Sequence, residues 1–222
     1  MSSMKSAGEA YRAANRALKH PQPRWSEFFT LLKRAAALGH MGAQCDLGLW
    51  YLDGLSRRGR RLLRRSPTRA FRLLSASGQF GHPPAFMALG YCYDTGIGVG
   101  QDKAAAMRWY RRAVKYDGAS AAYNIATIYR ERADARGEVR WLRKAAKLGA
   151  SDAKIDLARI ALRSRTSSDA RRRTIANLQL LARSRDPWRG DALLLLADAY
   201  DRGWGVPQSS KTAQRLRKQA AT

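Results

Sequence analysis

One pattern constrains this chain more than any other. An Ala is followed by Leu at +4, Gly or Ala at +5, Tyr at +8 and Gly at +11. It reads Ala43, Leu47, Gly48, Tyr51, Gly54, recurs as Ala85, Leu89, Gly90, Tyr93, Gly96, and again as Ala192, Leu196, Ala197, Tyr200, Gly203. Weaker copies are Ala121, Ile125, Ala126, Tyr129 and Ala153, Leu157, Ala158, the latter with Ala161 in the Tyr place. Offsets of 4, 8 and 11 fall on one stripe of a 3.6-period helix, which excludes a strand reading.

A second element precedes each copy. A large apolar anchor stands 12 residues before every Ala, at Leu31, Leu73, Trp109, Trp141 and Leu180, and Leu216 follows the last copy. Small residues sit four positions after the anchors, at Ala35, Ser77, Ala113, Ala145, Ser184 and Ala220. The distance from anchor to Ala is constant, whereas the connection from the +11 position to the next anchor varies from 9 to 19 residues. One connection is therefore constrained and the other is a loop that tolerates insertion. Small residues at +5 allow two helices to approach closely, and the anchors fill the space between neighbouring pairs. No pair buries its stripe alone, so the pairs must stack. Gly39, Gly81, Gly118 and Gly149 follow the second helices, where a left-handed cap favours glycine. No stretch shows strand alternation, and an all-α chain of 11 or 12 helices is expected.

The stretch GHPPAFMALGYCYDTGIGVGQDKAAAMRWYRRAV, Gly81 to Val114, resembles a Sel1-like repeat, a relative of the tetratricopeptide repeats. A second full copy runs from Ala192 to Ala221 with GWGV in place of GIGV. The copy from Gly39 is partial, and those from Ala121 and Ala153 lack the Gly-x-Gly-Val turn. The resemblance covers residues 25–221 and implies a right-handed α/α superhelix that binds other proteins. Residues 1–24 then form an N-terminal helix, a cap or half-repeat, and 25–222 the solenoid, with a basic insertion at 55–67.

That insertion replaces the first turn. It carries Arg57, Arg58, Arg60, Arg61, Arg64 and Arg65, with no acid between Asp53 and Asp94. It reads either as a solvated, mobile loop or as an arm that binds phosphate or carboxylate through paired guanidinium donors. No aromatic residue interleaves the arginines, so base stacking is not supported. The whole chain has 42 Lys and Arg against 17 Asp and Glu, a formal charge of +25. This favours an acidic protein or peptide partner and leaves nucleic acid as the alternative, while Arg on solvated helices would also produce it.

In the tetratricopeptide-like arrangement the first helix of each pair lines a groove. The stripe next to the packing stripe, at +2, +6 and +9, then faces a ligand. It holds Cys45, Leu49 and Leu52; Met87, Tyr91 and Asp94; Tyr123, Thr127 and Arg130; Ile155, Arg159 and Leu162; Leu194, Asp198 and Asp201. The site expected from it comprises Leu49, Met87, Tyr91, Asp94, Tyr123, Thr127, Arg130 and Arg159. The alternative is that this stripe packs against the opposite wall of a tight superhelix.

Chemistry finds little support. Gly96-Ile-Gly98-Val-Gly100-Gln-Asp-Lys103 resembles a phosphate loop, but it lacks the Gly-Lys-Ser/Thr ending and follows a helix where a strand is needed. His40 and His82 each follow a repeat glycine and read as caps, and Asp102 and Asp169 as helix N-terminal residues. Cys45 and Cys92 make neither a disulfide framework nor a zinc spacing. The chain is expected to be no enzyme, with no metal, no cofactor and no small-molecule substrate. No apolar run reaches the roughly 18 residues of a membrane span, and no secretory h-region is present, so a cytoplasmic protein is expected. The resemblance makes a bacterial source the simpler assumption.

Overall fold

The computed structural model describes residues 2–57, 59–116, 118–164 and 167–221, with side chains from residue 6 onward except that of Arg60. Arg58 and the Arg60 side chain lie outside the described residues. The chain divides into two compact units, 1–117 and 118–222.

The first unit stacks three helix pairs: α1 (Ser2–Lys19) on α2 (Trp25–Ala37), α3 (Met41–Asp53) on α4 (Pro67–Gln79), and α5 (Pro83–Thr95) on α6 (Lys103–Ala113). The second contains α7 (Gly118–Glu131) on α8 (Ala135–Lys147), α9 (Ser151–Arg163) with α10 (Ser168–Arg183), and α11 (Arg189–Arg202) on α12 (Ser210–Ala220). These twelve described helices match the periodicity. The five Ala of the pattern are fully buried. At +5, a β-carbon on Gly90 would lie 2.4 Å from the Tyr110 ring, and one on Gly48 would lie 2.8 Å from Leu74 Cγ. The small residue is what lets the two helices of a pair close.

The anchors do reach between pairs, but in α2, α4, α6 and α8 each is less buried than the residue after it. There Leu32, Leu74, Tyr110 and Leu142 are buried, whereas Leu31, Leu73, Trp109 and Trp141 are half-buried; in α10 the anchor Leu180 is exposed, and in α12 the anchor Leu216 is itself buried. The two positions stand about 100° apart on the helix, so one faces the helix of its own pair and the other turns toward a neighbour. Tyr110 packs on Gly90 of its own pair. Trp109 reaches Phe86, with ring centroids 5.8 Å apart, and Gly78 of the preceding pair.

Gly39, Gly81 and Gly149 adopt positive φ as caps, but Gly118 does not; it begins α7. His40 caps α3, its Nδ1 accepting from the Ala43 N–H at 3.1 Å. His82 holds the same place before α5 without a side-chain bond. Asp102 caps α6, while Ser167 caps α10 and Asp169 lies in its first turn. In the Gly-x-Gly-Val turns a β-carbon on Gly98 would lie 2.2 Å from the Pro67 carbonyl oxygen, and one on Gly205 2.9 Å from Arg171 Cβ. Both turns thus seat against the first turn of the preceding pair's second helix. This is a packing role, and it leaves no phosphate cradle there.

Within this all-α fold the insertion is the one stretch of strand among the described residues. It forms an antiparallel hairpin, β1 (Leu55–Arg57) and β2 (Arg60–Leu63), with Leu55 opposite Leu63. Gly59 supplies the positive φ that a tight hairpin turn requires. Leu63 is buried against the α1–α3 core, where Leu55 and Leu62 also pack.

Candidate partner-binding surfaces

In the first unit the stripe is partly a surface. Leu49 and Tyr91, both at +6, are 40% and 46% exposed, and Met87, at +2, is half-buried. Cys45 is instead fully buried, in a cluster with Leu74, Leu89 and Cys92. Burial pushes the Cys45 thiol up to about 12 and the Cys92 thiol to about 11, so both are inert. Asp94 is engaged: it accepts from Lys103 Nζ at 2.7 Å and from the Tyr110 hydroxyl at 3.3 Å.

The hairpin adjoins this stripe. Arg65 Nε donates to the carbonyl of Leu52, at the stripe's end, at 2.8 Å. The Arg57 guanidinium lies 5.5 Å from the centre of the Trp25 ring. Arg61 and Arg64 are exposed, and no ion pair is present for any of these four arginines among the described residues.

In the second unit, three of the expected residues converge on one the sequence reading missed. Asp156, 6% exposed, accepts from Arg130 Nη2 at 2.6 Å, from the Tyr123 hydroxyl at 3.0 Å and from Arg159 Nη1. Arg130 also donates through Nε to Glu138 at 2.6 Å. Burial works against the Arg130 cation, but its bonds to Asp156 and Glu138 outweigh that and keep it charged. Burial, then the Asp156 charge, raises the Tyr123 pKa. Thr127 donates within its own helix, to the Asn124 carbonyl. Ile155 and Leu162, on the same stripe, are core, whereas Leu194 is exposed. A signal for Asp156 was present in the sequence: Asp46 occupies the same +3 offset and likewise accepts a tyrosine hydroxyl, from Tyr11 at 2.7 Å.

The second unit also carries a cavity of about 890 Å³ between α8, α9 and α10, lined by Val139, Leu157, Ala161, Leu178 and Leu180 among others. Leu180 is 67% exposed in it. Among the described residues no three His, Cys, Asp or Glu side chains gather to hold a metal ion, and no helix is long and apolar enough to cross a membrane.

The Sel1 repeat family matches residues 42–79, 84–115, 139–149 and 190–222, a little over half of the sequence. The chain belongs to the Sel1 repeat family. Its Sel1 fold is similar to the crystal structure of a protective antigen present in uropathogenic Escherichia coli strains, with a TM-score of 0.76 at 24% identity. That likeness covers 97% of this chain and 45% of the antigen, so the chain spans less than half of that protein's length. A Sel1 repeat protein from Oxalobacter formigenes is similar at a TM-score of 0.70 and 23% identity, over 98% of this chain and 84% of that one. Sel1 repeats generally serve as non-catalytic scaffolds for protein–protein interaction. The match leaves out 1–41, 80–83, 116–138 and 150–189, the last of which holds α9 and α10.

Proposed function

We propose that this Sel1 repeat protein is a non-catalytic adaptor or scaffold that takes an acidic protein or peptide on its first-helix stripe and its arginine hairpin. The observation that carries the reading is the hairpin. It is anchored by buried Leu63, while Arg61 and Arg64 stand exposed and unpaired by acids among the described residues. Arg57, Arg58, Arg60 and Arg65 complete the arm. A folded arm loses less entropy on binding than a mobile loop would. Leu49, Met87 and Tyr91 supply apolar contact beside it, with Asp94 at the edge; Tyr123, Thr127, Arg130 and Arg159 form the corresponding face of the second unit. In this reading residues 1–24 cap the array of 25–222. Two unbridged cysteines suit a reducing, cytoplasmic setting. No cofactor or small-molecule substrate is involved.

Nucleic acid is less well supported, because the hairpin itself carries no aromatic ring for stacking, and Trp25, on which Arg57 lies, is packed among Phe28, Phe29 and Trp50. An affinity pull-down with and without nuclease tests the reading. A specific protein retained after nuclease treatment supports it. Excess absorbance at 260 nm that nuclease or high salt removes, with no protein retained, overturns it.

A further inference from the structure

The groove between α8, α9 and α10 exists because one repeat contact is missing. In the α5 copy, Tyr93 at +8 meets Phe71, two residues before the anchor of the preceding pair, with ring centroids 5.3 Å apart and edge to face. Tyr51 shares a buried cluster with Phe29, and Tyr200 with Leu178, at the same two positions. In α9 the +8 residue is Ala161, and the residue two before the preceding anchor is Val139. The space a tyrosine and a phenylalanine would fill is left open, and both small residues line it. Leu180, whose counterparts in the other pairs are half-buried or buried, is correspondingly 67% exposed on its wall.

The rim has a definite charge. Arg143 and Lys154 line the groove, and a second depression that shares Val139 and Arg143 is bordered by Arg136 and Arg140. Arg136, Arg140 and Arg143 are spaced i, i+4 and i+7, so they stand in a row along one face of α8. All three are exposed, and none has an ion pair among the described residues. The one acid in the lining, Asp186, is already occupied: it accepts from the Ser151 hydroxyl at 2.6 Å and from the Trp188 N–H at 2.9 Å.

From this geometry we infer that the α8–α10 groove is a docking site for an acidic amphipathic helix, which places apolar side chains where the repeat lacks its tyrosine and acidic ones along the arginine row. A helix matches because apolar anchors at i, i+3, i+4 and i+7 suit a groove between helices, while its acidic flank can lie along the arginine row of α8. A second copy of this chain is disfavoured, since +25 meets +25. The inference rests on the scaffold reading but not on the hairpin.

The probe is a synthetic helical peptide with leucines at i, i+3, i+4 and i+7 and glutamates on the flanking faces, titrated by fluorescence anisotropy into the full chain. Binding by the parent is expected, with loss of about tenfold or more in Leu180→Gln and in Arg140→Glu paired with Arg143→Glu. Ala161→Tyr combined with Val139→Phe rebuilds the pair seen at Tyr93 and Phe71, and it should abolish binding without lowering the melt. Leu180 is exposed, so its variant folds whatever the double variant does. A hairpin variant with Arg57, Arg61, Arg64 and Arg65 changed to Gln should bind the probe normally. No binding by the parent overturns the inference, as does equal binding by the groove variants or by a peptide with serines in place of leucines. Loss in the hairpin variant alone assigns the probe to the hairpin and overturns the groove while leaving the scaffold reading intact.

Discussion

Arg130, at the C-terminal end of α7, donates at 2.6 Å to Asp156, a carboxylate buried in α9. Tyr123 and Arg159 share that acceptor. Asp156→Ala should therefore destabilise the fold by about 2 kcal/mol, below the roughly 3–5 kcal/mol of a fully buried pair because both guanidiniums are well exposed and can turn to water. Tyr123→Phe should cost about 1 kcal/mol. Urea unfolding monitored by circular dichroism measures both, and an unchanged midpoint for Asp156→Ala would refute the clamp.

Helix register is tested by adjacent residues. Tyr110→Ala empties a site 1% exposed and should cost about 3–5 kcal/mol, while Trp109→Ala, half-buried, should cost about half as much. Gly90→Ala drives a methyl group into the Tyr110 ring and should itself cost about 1–3 kcal/mol. The reverse order for Trp109 and Tyr110 would return the anchor to the core.

Ala133 holds a φ of 56° in the turn between α7 and α8, one residue beyond the +11 position at which the stronger repeats place glycine. Ala133→Gly should raise stability by about 0.5–1 kcal/mol, since relief of the left-handed strain exceeds the added chain entropy. A lowered thermal midpoint would contradict this.

Burial, then the neighbouring His82, holds the His40 pKa below its ordinary 6.5. Folding thus favours the neutral ring, whose Nδ1 accepts the capping bond. The resulting stability is present above pH 6.5 and is lost as pH falls from there through the lowered folded-state value. His40→Ala should cost about 1 kcal/mol at neutral pH and flatten that part of the stability profile. Urea midpoints taken across the acid limb would show it.

Arginine replacement in the hairpin separates binding from folding. Changing Arg57, Arg61, Arg64 and Arg65 to Gln should lower stability by less than about 1 kcal/mol, since only the Arg57 contact with Trp25 and the Arg65 bond to Leu52 are lost. Association with an acidic partner should slow and lose much of its salt dependence. Leu63→Ala should cost about 2 kcal/mol or more, because it empties a buried site. Stopped-flow association at two ionic strengths and thermal melts read the two effects apart.

The amino-acid sequence by itself determined the helix pairs, the packing stripe and the close approach at Gly48 and Gly90. Period and side-chain volume at constant offsets are one-dimensional information, and each repeat restates them. Only the tertiary structure decided which of two adjacent large residues is core, because Trp109 and Tyr110 differ by a rotation about the helix that composition does not encode. It also decided that the arginine insertion is a hairpin: Leu55 and Leu63 become strand residues through packing on the α1–α3 core, whose α1 and α2 lie well before them in sequence. The same holds for charge. Arg130 and Arg159 stand on the stripe and Arg140 and Arg143 on α8, yet among the described residues only the first two are paired with an acid, sharing Asp156. Burial and pairing depend on what folding brings alongside, and no local pattern carries that.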